Sequence, residues 1–156
     1  MVRTARYAYA ALAWAFVAGI LVQVFFIGMG LFVKPQNFDL HVNFGWLLHL
    51  GPLPILVAAA LASAGRTRIL QVTSLAVIFF FVPILAAIRA DSPWAAAFHP
   101  VGALLGFWLA TVVARGATSL FRSTDPGAPT TRGEWVLVVL VVVVILFLSF
   151  SGSPDA

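Results

Sequence analysis

The sequence predicts an all-α integral membrane protein, a bundle of five transmembrane helices with the N-terminus cytoplasmic and the C-terminus external. Hydrophobic residues make up 62% of the chain and charged residues only 9%, against about 45–50% and about 25% in soluble domains. A soluble fold of 156 residues cannot bury this much apolar surface, whereas a bilayer solvates it. The charged residues also divide the chain into five uncharged runs, each near the roughly 20 residues that a membrane helix requires.

The five uncharged runs define the predicted helices, because backbone polar groups inside a bilayer must bond within their own segment. The runs are too long and too uniformly apolar for barrel strands, which alternate over about 9–11 residues. The first run also exceeds the apolar core of a signal peptide, about 7–15 residues, and indicates a retained helix. The expected helices cover about residues 6–33, 38–64, 69–89, 93–115 and 133–151, with a cytoplasmic loop over 116–132.

Local motifs predict several helix ends and kinks. Ser92-Pro93 is typical of an N-cap followed by proline at the first helical position. Residues 131–134 have the spacing of a capping box. Gly65 and Gly116 stand where left-handed helix caps are expected. Prolines inside the second, third and fourth runs predict kinks; they are Pro52, Pro54, Pro83 and Pro100.

The distribution of basic residues predicts the orientation, because cytoplasmic connections of membrane proteins carry an excess of Lys and Arg. With the N-terminus inside, only Lys34 and Arg89 are external. The cytoplasmic basic residues are then Arg3, Arg6, Arg66, Arg68, Arg115, Arg122 and Arg132. Basic residues in these short connections explain the net positive charge of the chain, so we do not expect nucleic-acid binding. We expect the protein to lie in the lipid bilayer of an inner or plasma membrane.

The sequence argues against most catalytic and ion-coupled functions. No Asp, Glu, Lys or Arg lies inside a run, although pumps and ion-coupled transporters usually carry such groups. We find no zinc-protease, hydrolase or phosphate-loop motif, and the chain has no cysteine. We therefore expect a non-catalytic protein. Its sparse intramembrane polar residues should bond between helices; they are Gln23, Asn43, Gln71, Thr73, Ser74 and Thr111.

The three histidines suggest a cofactor site in the external halves of two helices. By depth along its helix, His99 can meet either His41 or His49, and two such imidazoles can clamp a haem iron. Gly45 and Gly102 would let a flat macrocycle approach. We rank His99 first as a ligand, then His41, then His49, with His41 and His99 as the metal ligands. Interfacial histidines with ordinary glycine packing remain the alternative, and His49 could instead donate into the proline kink.

Residues 40–46, with the later segment Phe98-His99-Pro100 through Leu105, resemble a family of small uncharacterised bacterial polytopic membrane proteins. That family pairs a histidine opening one helix with a His-Pro motif opening a later one, over roughly residues 7–115 of this chain. The arrangement is also distantly similar to bis-histidine b-type membrane cytochromes. The resemblance implies one haem b with His41 and His99 as axial ligands. The spacing of His41 and His49 does not match the two-haem members.

These observations predict an accessory subunit of a membrane redox or photosynthetic complex. We expect it to hold one histidine-ligated haem, or a chlorophyll-type pigment on a single histidine, near the external face, with other membrane subunits as partners. The alternative is a structural or assembly subunit without a cofactor, favoured by the very apolar fifth helix. A small transporter or channel comes third, because a polar pathway is missing.

The orientation can be measured with reporter fusions. We expect green fluorescent protein fused in the loop after Arg122 to fluoresce, and alkaline phosphatase fused after Ala156 to be active, because the two sites lie on opposite sides. Activity of the phosphatase in the loop position would contradict this orientation.

Overall fold

The computed structural model describes residues 2–125 and 127–151, and all regular structure in those ranges is helical. The helices are α1 (Val2–Phe32), α2 (Phe38–Leu48), α3 (Pro52–Leu61), α4 (Arg66–Ala87), α5 (Pro93–Ala96), α6 (His99–Arg122) and α7 (Arg132–Ser151), with a 3₁₀ turn at Pro35–Asn37. The expected external tail, residues 152–156, lies outside the described residues.

Five segments of the described chain are long and apolar enough to cross a membrane, which confirms the predicted fold class. The first, third and fifth are the single helices α1, α4 and α7. The second joins the 3₁₀ turn with α2 and α3, and the fourth joins α5 with α6. The protein is therefore a multi-pass membrane protein whose apolar outer surface requires lipid contact.

Helix α1 forms the centre of the bundle and packs against α2, α3 and α6. Helix α4 packs against α3 and α6, and α7 lies at the edge on α3 and α4. Phe16 of α1 meets Phe79 of α4 edge to face, with ring centres 4.7 Å apart. Alanines from α3 and α6, among them Ala59 and Ala114, are fully buried and let the helices approach closely.

Of the predicted helix-end motifs, the capping box at residues 131–134 is confirmed. Glu134 accepts hydrogen bonds from the backbone N–H of Thr131 at 2.7 Å and from its hydroxyl, while the N–H of Glu134 donates to Thr131 Oγ1 at 3.3 Å. This reciprocal capping box starts α7. The prediction of a left-handed cap at Gly65 is wrong, because α3 ends at Leu61 and the left-handed residue after it is Ser63, with a φ of +53°. Gly65 has a φ of +81°, which favours glycine, and directly precedes α4.

The fourth helix extends further than the sequence predicts, so the predicted loop over 116–132 is wrong for its first half. Helix α6 passes through Gly116 and ends at Arg122. The extra turns pack on α1, because Ala117 and Leu120 are buried and the Phe121 ring meets Tyr7 with ring centres 6.0 Å apart. Burial against α1 thus outweighs the helix-breaking tendency of a glycine.

The second predicted helix is interrupted between α2 and α3 where prolines remove backbone donors. The carbonyl of Leu48 accepts from the N–H of Gly51 at 2.9 Å, and that of Leu50 accepts from the N–H of Leu53 at 3.0 Å. These tight turns satisfy the carbonyls that Pro52 and Pro54 leave free, so the chain bends without unsatisfied carbonyls there. By contrast, α4 continues through its own proline to Ala87.

Candidate functional site

A cavity of about 670 Å³ lies between α1, α2, α4 and α6, at the end where α2 and α6 begin. All three histidines of the chain line it, together with aliphatic and aromatic side chains such as Phe79 and Phe107. The volume falls in the range of small-molecule sites, about 300–1,000 Å³. The three histidines and Gly45 therefore line one partly open and largely apolar space.

His41, in the first turns of α2, is fixed by two hydrogen bonds to Gln23 of α1. Its Nδ1 donates to the Gln23 carbonyl at 3.1 Å, and the Gln23 amide donates to the His41 carbonyl at 2.7 Å. Gly45 makes room for this amide, since a Cβ there would stand 2.7 Å from Gln23 Nε2. Gly45 therefore has a packing role as well as lining the cavity.

His99, the first residue of α6, donates from Nδ1 to the carbonyl of Val82 in α4 at 2.8 Å. The following Pro100 occupies the first turn, where a missing N–H costs nothing. Gly102 lets α6 come close to α4, because a Cβ there would lie 3.0 Å from Val82 Cγ2. Gly102 is not among the cavity-lining residues, so its place in the structure is the α4–α6 contact.

The carbonyl partners determine which nitrogen of each ring carries hydrogen. A carbonyl oxygen only accepts hydrogen bonds, so Nδ1 of His41 and Nδ1 of His99 both bear the proton. In the neutral rings Nε2 then keeps its lone pair, as in most metal-bound histidines. The two ring centres are 6.3 Å apart, with the ring planes at 77° to each other.

His49 differs from the other two histidines because both of its nitrogens are occupied. Its Nδ1 donates to the Trp46 carbonyl at the break between α2 and α3, and its Nε2 accepts from the hydroxyl of Ser149 in α7 at 3.1 Å. The side chain is also buried, with 7% of its surface exposed. His49 therefore connects α7 to the interrupted second span.

The side chains around the cavity constrain which metals the site can hold. Within residues 2–125 and 127–151, no three His, Cys, Asp or Glu side chains form a group that could bind a metal ion. A closed zinc-type site, which requires four ligands, is thus absent from that part of the chain. Two imidazoles leave the remaining positions of a metal to other ligands, which a macrocycle such as a porphyrin supplies.

Sequence reasoning missed two side chains that hold the histidines in place. In the sequence Gln23 is one of several polar residues within apolar runs, and nothing distinguishes Ser149 within the apolar fifth run. Each acts on a histidine from another helix, at a sequence separation of 18 or 100 residues. The helix rotations that create such pairs are not encoded in local spacing.

Comparison with known proteins gives one match. Residues 23–89 match a protein family described as a family of unknown function (DUF6220). No curated protein and no solved structure matches the chain. The matched segment includes His41 and His49 but ends before His99, and none of these comparisons links the chain to a cytochrome.

The Gln23–His41 contact can be tested with Gly45→Ala. The new methyl group would push the Gln23 amide off the His41 carbonyl, and losing a partly buried hydrogen bond costs about 1–3 kcal/mol. We expect a lower midpoint of thermal unfolding in detergent. Gly28→Ala is the matched control, because its Cβ meets only Phe32 at an ordinary 4.0 Å. Equal midpoints for the two variants would contradict the contact.

Proposed function

We propose that the protein is a non-catalytic, accessory membrane subunit that holds one haem b between His41 and His99. The observation that carries this proposal is the pair of imidazoles lining one apolar cavity with ring centres 6.3 Å apart. The shared chemistry of the two side chains is a neutral imidazole with a free Nε2, a common axial ligand of haem iron.

The distance between the rings supports a single metal between them. A metal held by Nε2 of each ring would place the two ring centres about 6 Å apart, since each metal–nitrogen bond would be about 2.0 Å long. The measured separation of 6.3 Å agrees with this value. His41 and His99 come from different helices, so a ligand between them would also bridge α2 and α6.

The backbone hydrogen bonds support the same assignment. Haem-ligating and metal-ligating histidines usually donate their other ring N–H to a carbonyl or carboxylate, which orients the ring and raises its basicity. His41 has the Gln23 carbonyl for this purpose, and His99 has the Val82 carbonyl. His49 uses its Nε2 to accept from Ser149, which makes it a structural residue in this proposal.

The surroundings suit an apolar macrocycle with two carboxylates. Phe79, Phe107 and Leu104 provide flat and aliphatic walls, and neutral histidines bring no charge into the bilayer. Lys34 and Arg89 follow the ends of α1 and α4 at the same end of the bundle, and both are exposed. Lys34 and Arg89 are the cations at that end of the bundle that are available to pair with the carboxylates of the macrocycle.

Ligation by two histidines favours electron transfer over catalysis. A haem held by both His41 and His99 would leave no position on the iron for oxygen or substrate, and it would supply one-electron chemistry. The apolar cavity wall would keep water from the iron, which tunes its potential. A chlorophyll-type pigment needs only one histidine, so the opposed pair favours haem.

A structural or assembly subunit without cofactor is the second candidate. Helix α7 supports it, because Val139, Val143, Phe147 and other large apolar side chains on its outer face are exposed. Such a face fits lipid or a helix of another membrane subunit. In that case the histidines serve only to join helices.

The visible spectrum of the purified protein separates the two candidates. We expect protein from cells supplied with a haem precursor to show a Soret band and sharp reduced bands of six-coordinate haem. His41→Ala and His99→Ala should each lose most of the bound haem, because each removes one axial ligand. His49→Gln is the control and should retain the bands, since its amide replaces the imidazole as donor and acceptor.

A colourless, stably folded wild-type preparation would overturn the haem proposal and leave the structural candidate. Bands that persist unchanged in both alanine variants would show that haem binds elsewhere.

A further inference from the structure

A second groove lies at the opposite end of the bundle, where α6 ends beside α1. Trp14 of α1 forms one wall and four polar residues of α6 form the other, around an open space of about 400 Å³. Those residues recur at intervals that place them on one face of the helix; they are Arg115, Thr118, Ser119 and Arg122. The groove therefore presents two guanidinium groups and two hydroxyls together.

The two arginines of this groove carry positive charge that the described carboxylates do not neutralise. Arg115 and Arg122 are both exposed and make no ion pair within residues 2–125 and 127–151. Asp125, three residues after Arg122, accepts a hydrogen bond from the Gly127 N–H at 2.9 Å. The groove is thus suited to an external anion.

Trp14 and Thr118 give the groove a fixed wall. The indole N–H of Trp14 donates to Thr118 Oγ1 at 2.9 Å, and the Thr118 hydroxyl donates to the Ala114 carbonyl at 2.9 Å. These bonds use the Thr118 hydroxyl and the indole donor, which leaves Ser119 and the two arginines to bind a ligand. The indole is 45% exposed, as expected for tryptophan at a membrane interface.

The groove lies at the level of the lipid headgroups. Arg68, in the first turn of α4, lies beside Gly116 of α6, with 3.7 Å between its Nε and a Cβ built there. Helix α6 has 24 residues, so it is about 36 Å long and exceeds the roughly 30 Å hydrocarbon core. Its last turns therefore extend into the polar interface beside the first turn of α4.

An exposed apolar stripe continues from the groove toward the bilayer centre. On α6 it contains Trp108 and Leu104, seven and eleven residues before Arg115. On α1 it contains Leu21, seven residues after Trp14. A ligand with both a phosphate and an acyl chain matches the polar groove and the adjoining apolar stripe, whereas a soluble phosphate ester would contact only the polar groove.

We propose that the groove of Trp14, Arg115, Thr118, Ser119 and Arg122 is a binding site for an anionic phospholipid. The guanidinium groups bind the phosphate oxygens, for which the planar arginine fork is well matched. Ser119 adds a hydroxyl donor, and an acyl chain lies along Trp108 and Leu21. The predicted orientation places this site in the cytoplasmic leaflet, where basic sites between helices meet anionic lipid.

The test is native mass spectrometry of the full-length protein in detergent, titrated with phosphatidylglycerol or phosphatidylcholine. We expect preferential retention of phosphatidylglycerol by the wild type and loss of that preference in Arg115→Gln/Arg122→Gln, about fivefold for each arginine removed. Arg115→Lys/Arg122→Lys should retain part of the preference, because it keeps the charge but not the fork. Arg3→Gln/Arg66→Gln removes two exposed arginines at the same end and should match the wild type.

Three results would overturn the proposal. Equal loss in the Arg3/Arg66 variant would indicate diffuse surface charge. An unchanged preference in the Arg115/Arg122 glutamine variant, verified as folded by circular dichroism, would place the lipid elsewhere. Full displacement of the lipid by an equimolar amount of glycerol 3-phosphate would identify a site for a soluble phosphate ester, because the acyl chain would then add no affinity.

Discussion

The lack of hydrogen-bonding solvent in the hydrocarbon core is the constraint on which the rest of this structure depends. It forces the five apolar segments into helices, and it favours hydrogen bonds from their few polar side chains to the protein, as Thr111 makes to the Phe107 carbonyl. Among the described residues, the buried hydroxyls of Tyr9 and Thr73 have no such partner. The three histidines satisfy this constraint in the same way, because Nδ1 of His41, His49 and His99 each donates a hydrogen bond to a backbone carbonyl. Such bonds cross between helices at His41 and His99 and thereby fix how α1, α2, α4 and α6 are rotated.

The same bonds separate the histidines into two kinds. A neutral imidazole whose single N–H donates a hydrogen bond to a carbonyl retains one basic nitrogen. What that nitrogen binds depends on its neighbours. In His49 this nitrogen accepts a hydrogen bond from Ser149, so both ring nitrogens already have partners. His41 and His99 instead line a cavity with their ring centres 6.3 Å apart. A structural requirement of the membrane thus produces a pair of oriented imidazoles, which is the arrangement that the haem proposal uses.

The sequence predicted the five membrane spans well because charged residues interrupt the apolar runs, and it predicted the capping box at Thr131 because that motif is local. It failed where tertiary contacts decide the outcome. Helix α6 continues past Gly116 because its extra turns are buried against α1. For the site, depth along the helices placed His99 level with either His41 or His49 without choosing between them. The choice depends on helix rotation and on partners such as Gln23, which lie on other helices.

In both His41 and His99, Nδ1 donates to a backbone carbonyl and Nε2 stays free. Nitrogen-15 solid-state NMR of haem-free protein, labelled at histidine and reconstituted in lipid bilayers at neutral pH, measures this most directly. Spectra of the wild type and of His41→Gln and His99→Gln assign the signals by difference. We expect both residues to show a protonated Nδ1 and an unprotonated Nε2. A protonated Nε2 with a bare Nδ1 at either residue would contradict it.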